Sequence, residues 1–320
     1  MHFTIVGAGA LGTILAAHLV AAGHQVACVV RDRRAKQLDF DGLHVEGLSQ
    51  LNERCEIVTD PKSVLETDVL VIGTKTYQTE LAIAPLCHLK PGLAFSMANG
   101  VKKTAQLRKA FGEQCVIGCM ANVSGELLDN GHVHYTRNVC LHLGALHEVS
   151  RSKTKALAEA IDKSGIICRA SDSIETIEWS KYVGWVAFMA LSVITRARTI
   201  DFLQNANHVS LACRLIKEMA AIAKSKGIPL IDQSPMPVKT IAESSDEVAR
   251  QAIIGVGREF AASAPEHRMS SLQDLERGAK LEFEDTLGYA VELAHELKLA
   301  APTIHDCYDL VAGIDSINQI

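Results

Sequence analysis

Near the start of the chain, Gly7-Ala8-Gly9-Ala10-Leu11-Gly12 has the spacing G-x-G-x-x-G. The spelling gains meaning from its context, because it follows a short apolar run and opens a helical pattern. Gly7 allows the tight turn, Gly9 lets backbone approach a pyrophosphate, and Gly12 lets the helix pack against the strand. The free N–H groups and positive dipole end of the new helix, around Ala10 and Leu11, then face the phosphates. The stretch therefore predicts a bound dinucleotide.

The identity of that dinucleotide is read about 20 residues further on, where an NAD site places an acidic side chain on the ribose hydroxyls. Here the second apolar run ends Cys28-Val29-Val30-Arg31, with Asp32, Arg33 and Arg34 following. A guanidinium at Arg31, helped by Arg33 or Arg34, suits a 2′-phosphate. Asp32 stands one residue late for the NAD role. The expected cofactor is NADP, as NADPH.

These residues need a scaffold, and the first half of the chain supplies its pattern. Strands are expected at His2–Val6 and Gln25–Val30, with a helix over Leu11–Ala22 between them. Further short apolar runs at Asp68–Gly73, Leu93–Met97 and Val116–Met120 fit a parallel sheet covered on both faces. The stretch NGHVHYTRNVCLHLG alternates and predicts antiparallel strands at the sheet edge. Beyond about residue 170 the period becomes helical, over Glu175–Arg196, His208–Lys226, Ser245–Ala262, Leu281–Leu297 and His305–Ala312. The expected architecture is an α/β Rossmann-type doubly wound domain over 1–170 and an all-α domain over 171–320, for substrate binding and dimerisation.

Composition narrows the class. The chain has 320 residues, enough for two domains. Lys and Arg total 32 against 37 Asp and Glu, a net charge of −5. That balance, with no long basic run, argues against a nucleic-acid partner. The longest apolar run, Tyr182–Ile194, is shorter than the roughly 20 residues a bilayer requires, so no membrane partner is expected. Nine scattered cysteines with no C-x-x-C predict buried thiols in a reducing cytoplasm rather than disulfides. His132, His134 and His142 lack matching acidic or cysteine spacing, so no metal is expected.

Later stretches carry further polar residues at telling places. GTKTYQTE puts Lys75 just past a strand, at the edge where open sheets bind ligands, and SMANGVKK does the same for Asn99. WSKYVGW places Lys181 at the head of the first long helix after the boundary. MSSLQDLERGAKLEFED carries Ser270, Gln273, Asp274 and Glu282.

Taken in order, the glycine turn, K-x-Y-Q at Lys75–Gln78, N-G at Asn99, W-x-K ending at Lys181, S-x-L-Q-D from Ser270, and Glu282 six residues before a glycine resemble the ketopantoate reductase family. The resemblance covers nearly the whole chain. It implies reduction of a 2-oxo acid by NADPH, in a cleft between the two domains. It further implies that Lys181 is the general acid, that Glu282 holds substrate and orients that lysine, and that Asn99 serves both nicotinamide and substrate. Ser270 would bind the substrate carboxyl end, and Lys75 and Gln78 would lie near the nicotinamide ribose. The chemistry agrees, since hydride addition builds negative charge on oxygen, which an ammonium stabilises and protonates.

One departure from the family pattern bears on specificity. The family's helix carries asparagines four and eight residues after the lysine, where this chain has Trp185 and Met189. These share a helical face with Lys181, so apolar groups stand where substrate hydroxyls would be bonded. His267 could act as a substitute partner. Ketopantoate to pantoate is the first candidate reaction. A D-2-hydroxyacid dehydrogenase acting on a more apolar 2-oxo acid is one alternative. A non-catalytic NADPH-binding regulatory protein is another, against which the retention of Lys181 and Glu282 counts. A homodimer is compatible with the apolar helical half.

Overall fold

In the computed structural model, residues 1–233 and 235–319 are described. The chain divides into two compact units, Met1–Ile174 and Glu175–Ile320.

The first unit is built on a five-stranded parallel sheet. Its strands are β1 (His2–Val6), β2 (Gln25–Val29), β5 (Glu56–Val58), β6 (Val69–Ile72) and β7 (Leu93–Ser96), in the order β5-β2-β1-β6-β7. Every pairing is parallel. β1 and β6 are buried along almost their whole length because helices cover the sheet, which explains their uninterrupted apolar sequence. The chain winds outward from β1 through β2 to β5, then crosses back to β6 and β7. The reversal falls between β1 and β6, where open α/β sheets bind ligands at the carboxyl ends of their strands. Helices α1 (Ala10–Ala21), α2 (Asp32–Asp41), α3 (Thr79–Ile83) and α4 (Lys102–Phe111) belong to this layer.

A second sheet changes one expectation. Val116 makes a parallel bridge to Ala94, continuing the first sheet for a single residue. The chain then runs on as β8 (Ile117–Leu127), antiparallel to β9 (Val133–Ala145). β9 is not an edge strand, since it also pairs with β3 (Leu43–Gly47) and β10 (Cys168–Ala170), and β3 pairs with β4 (Leu51–Glu53). The run Val116–Met120 reads like a parallel strand because Ile117–Ala121 is buried on both faces. Burial of both faces, not strand direction, sets that pattern. Helix α5 (Arg151–Lys163) completes the unit.

The second unit is helical. It contains α6 (Ile174–Thr195), α7 (Thr199–Gln204), α8 (Ala206–Ser225), α9 (Val238–Glu243), α10 (Asp246–Ser263), α11 (Ser270–Glu276), α12 (Tyr289–Glu296) and α13 (Pro302–Asn318). The core side of α6 is continuous from Val186 through Leu191, every residue at or below 3% exposure. The helix expected over Leu281–Leu297 instead begins as non-helical chain and enters a π-helical turn, Glu284–Gly288, before α12. The cause is local. The Thr286 hydroxyl donates back to the carbonyls of Glu282 and Phe283, and Gly288 N–H reaches the Phe283 carbonyl at 2.9 Å. Such turns recur at functional sites.

All nine cysteines are free thiols, with Cys87 exposed and Cys55 and Cys115 half-buried. His132 stacks on His44 with ring centres 3.8 Å apart and faces Asp41, while His134 faces Glu46.

Candidate active site

The glycine turn leaves the carboxyl end of β1 at the sheet's reversal point. Gly7 has φ +92°, and a Cβ there would stand 2.8 Å from Thr74 Cγ2. A Cβ on Gly12 would lie 2.2 Å from the Gly7 carbonyl oxygen. These two glycines are dictated by the turn's own packing. Gly9 is different. Its backbone, φ −74° and ψ −160°, suits any residue, and its Cβ would meet only the Gly73 carbonyl oxygen at 3.9 Å. Nothing in the chain requires a glycine there, so the space above it is open to a ligand. The α1 N-terminus has no side-chain cap, leaving the first N–H groups, from Ala10 and Leu11 onward, to an outside acceptor. This cradle fits a dinucleotide pyrophosphate.

The other expected cofactor residues lie on the same carboxyl edge. Arg31 follows β2, is exposed, and precedes α2. Lys75 precedes and Gln78 ends a single 3-10 turn just past β6, both half-buried. Asn99 stands half-buried past β7 beside Gly100, whose φ is +79°. Arg34 is not available in the way Arg31 is. Its guanidinium donates to the Ala8 carbonyl at 2.9 Å, the Gly131 carbonyl at 2.7 Å, the Thr13 hydroxyl at 2.9 Å and Gln37 Oε1 at 3.3 Å. Sequence spacing alone does not separate the two arginines.

In the helical unit, Lys181 lies on α6 about two turns past its start, half-buried, not at the head of the helix. Trp185, one turn on, is also half-buried. Met189 is 1% exposed and belongs to the core. The face shared by the three thus descends from accessible to buried, and only Lys181 and Trp185 offer surface. Glu282 is buried at the entrance to the π-helical turn. Tyr182, the neighbour of Lys181, donates its phenol to the Thr286 carbonyl at 2.6 Å. Burial pushes that phenol far above its ordinary range, so it remains a donor. One hydrogen bond therefore ties the helix of Lys181 to the turn that follows Glu282.

Ser270 is the exposed first residue of α11. Its neighbour Ser271 is buried and shares a 3.1 Å hydroxyl contact with Ser192 on α6. His267 is bound through Nδ1 to the Thr199 hydroxyl at 2.8 Å, which limits it as a substitute substrate partner. Sequence reading missed the Tyr182–Thr286 and Ser192–Ser271 links, because a hydroxyl inside an apolar helix gives no sign of its partner.

Residues 3–148 match the family described as ketopantoate reductase PanE/ApbA, and residues 173–315 match its C-terminal part. The 2-dehydropantoate 2-reductase of Archaeoglobus fulgidus is 26% identical over 98% of this chain and 97% of its own length. Among solved structures, a PanE/ApbA family ketopantoate reductase from Ralstonia eutropha JMP134 shares the fold with TM-score 0.84 and 24% identity, covering both chains completely. D-mandelate dehydrogenase, solved with NADH and anilino(oxo)acetate, shares it with TM-score 0.86 at 18% identity, again over both whole chains. No helix among the described residues is long and apolar enough to cross a membrane. With both halves of the family pattern present in order, the chain is an oxidoreductase belonging to the ketopantoate reductase family.

Proposed function

We propose that this chain reduces a small 2-oxo acid to the 2-hydroxy acid with NADPH, ketopantoate being the first candidate. The observation that carries the reading is the pair of built features on its two units. One is a glycine cradle with an open position at Gly9; the other is a lysine and a buried glutamate on two elements that the Tyr182–Thr286 bond ties together. When bound, the dihydronicotinamide supplies hydride to the oxo carbon. Lys181 donates the proton that the oxygen takes up. Glu282 orients that lysine and binds substrate, Asn99 positions the reacting end, and Ser270 receives the carboxylate. Lys75 and Gln78 hold the ribose next to the nicotinamide.

Arg31 supports NADPH over NADH. It is exposed just past β2, and while its carbonyl caps α2, its guanidinium makes no hydrogen bond or ion pair to any described residue. Arg31→Ala is expected to weaken NADPH by roughly 10- to 100-fold, the scale of charge-assisted hydrogen bonds. NADH binding should be little changed. Fluorescence titration of both cofactors checks this, and equal losses would refute the 2′-phosphate role.

Trp185 favours a second reading for the substrate. A half-buried indole one turn from Lys181 cannot accept a hydrogen bond from a substrate hydroxyl. A site that does not accept from a hydroxyl gives a hydroxylated substrate little advantage over a hydroxyl-free one. This supports a 2-oxo acid with a more apolar side chain. The experiment is NADPH oxidation with ketopantoate and 2-oxoisovalerate side by side. Higher kcat/KM for ketopantoate supports the first reading, and higher kcat/KM for 2-oxoisovalerate supports the second.

A further inference from the structure

We propose that Arg34 is a positioning residue for the cofactor: by holding the Ala8 carbonyl, it aims the Gly9 N–H at the dinucleotide pyrophosphate. The inference rests on the dinucleotide reading above and concerns a residue argued to act through the Ala8–Gly9 peptide.

The geometry is a closed set of contacts around one peptide. The Ala8 carbonyl accepts from Arg34 Nε at 2.9 Å and from the Thr13 hydroxyl at 3.1 Å. The same Thr13 hydroxyl accepts from Arg34 Nη2 at 2.9 Å, so its donor and acceptor capacities are both used. Thr13 is fully buried and Ala8 is 2% exposed. A trans peptide is planar, with its C=O and N–H pointing in opposite directions. Fixing the Ala8 oxygen toward α2 therefore fixes the Gly9 N–H away from it. That N–H has no acceptor among the described residues. It sits on the one glycine of the turn that the chain's own packing does not require.

Arg34 is itself held from the far side. Nη1 donates to the Gly131 carbonyl at 2.7 Å, in the connection between β8 and β9, and to Gln37 at 3.3 Å. Gly131 has φ +89°, and a Cβ there would lie 3.0 Å from Arg34 Nη1. A side chain at that position would crowd both the guanidinium and Gln37. With its donors so engaged, Arg34 is not offered to a 2′-phosphate, while Arg31 is. The two arginines thus divide the work, Arg31 reading the ribose phosphate and Arg34 shaping the pyrophosphate cradle.

Two fragments of the cofactor separate these roles. ADP-ribose carries the pyrophosphate without the 2′-phosphate, and adenosine 2′,5′-bisphosphate carries the 2′-phosphate without the pyrophosphate. In Arg34→Met, which keeps the apolar stem, calorimetric titration should show ADP-ribose weakened by about tenfold or more. The bisphosphate should bind as in wild type, and NADPH and NADH should weaken by the same factor. Arg31→Ala should show the opposite fragment pattern. Thr13→Val, nearly isosteric, provides a second probe should Arg34→Met fail to fold, with a smaller loss for ADP-ribose and none for the bisphosphate. Unchanged ADP-ribose binding would overturn the proposal. So would a loss for the bisphosphate, which would place Arg34 on the 2′-phosphate, or equal losses for both fragments, which would make its role purely structural. A wild-type chain that binds neither ADP-ribose nor NADPH would overturn the dinucleotide reading, and the proposal with it.

Discussion

Replacing Lys181 by alanine is expected to lower kcat by on the order of 100- to 10,000-fold, the range of positioned general acids. NADPH affinity should stay near that of wild type, because the cradle around Gly9 belongs to the other unit. Reduction leaves an alkoxide that must take up a proton, and an ammonium both neutralises the developing charge and supplies that proton. Lys181 is half-buried on a helix whose following residues are core, so water replaces it poorly as a donor. Lys181→Arg is the sharper variant. It keeps the charge but hardly releases a proton at neutral pH, so it should also be slow. Steady-state kinetics with saturating NADPH and a reactive 2-oxo acid measures both. Wild-type kcat in either variant would remove Lys181 from the role of acid.

The second large effect is expected at Gly9. Gly9→Ala should leave thermal stability close to wild type, because the added methyl meets nothing nearer than the Gly73 carbonyl oxygen at 3.9 Å. It should nevertheless weaken dinucleotide binding by on the order of 100-fold, since it fills the space a pyrophosphate would use. Gly12→Ala is the contrast. Its methyl would fall 2.2 Å from the Gly7 carbonyl oxygen, and backbone must move to admit it. A cost of about 1–3 kcal/mol or more follows from such overpacking. That variant should lose both stability and binding. Thermal melts with and without NADPH distinguish the two substitutions. If Gly9→Ala loses stability as Gly12→Ala does, then Gly9 is a packing glycine and the open position above it has no ligand role.

Much of this could be read from the sequence because burial leaves a strong mark on it. β1, β6 and β7 are short apolar runs enclosed by helices, and a strand covered on both faces has no polar alternation to confuse it. The same mark misled at Val116–Met120, where a run buried on both faces belongs chiefly to an antiparallel hairpin. It misled again at Leu281–Leu297. There the helical period is real, but the Thr286 hydroxyl competes for backbone carbonyls and widens the first turn. At the candidate site, motif spacing named Gly9, Arg31, Lys181 and Glu282. It could not say that Arg34 is engaged by Ala8, Thr13 and Gly131, because Gly131 is 97 residues away and nothing local announces it. Nor could it place Met189 in the core while Trp185 stays accessible. Helical periodicity gives a face, and only packing tells how deep along that face the surface ends.

The central claim is hydride transfer from NADPH to the oxo carbon of a 2-oxo acid, and isotope labelling tests it most directly. NADPH deuterated at both C4 positions would be incubated with the wild-type chain and ketopantoate, or 2-oxoisovalerate if that is the faster substrate, and the product examined by mass spectrometry and NMR. The expected result is one deuterium at C2 of the hydroxy acid for each NADPH oxidised. A chain that binds NADPH yet forms no hydroxy acid, or forms one without deuterium at C2, would contradict the account.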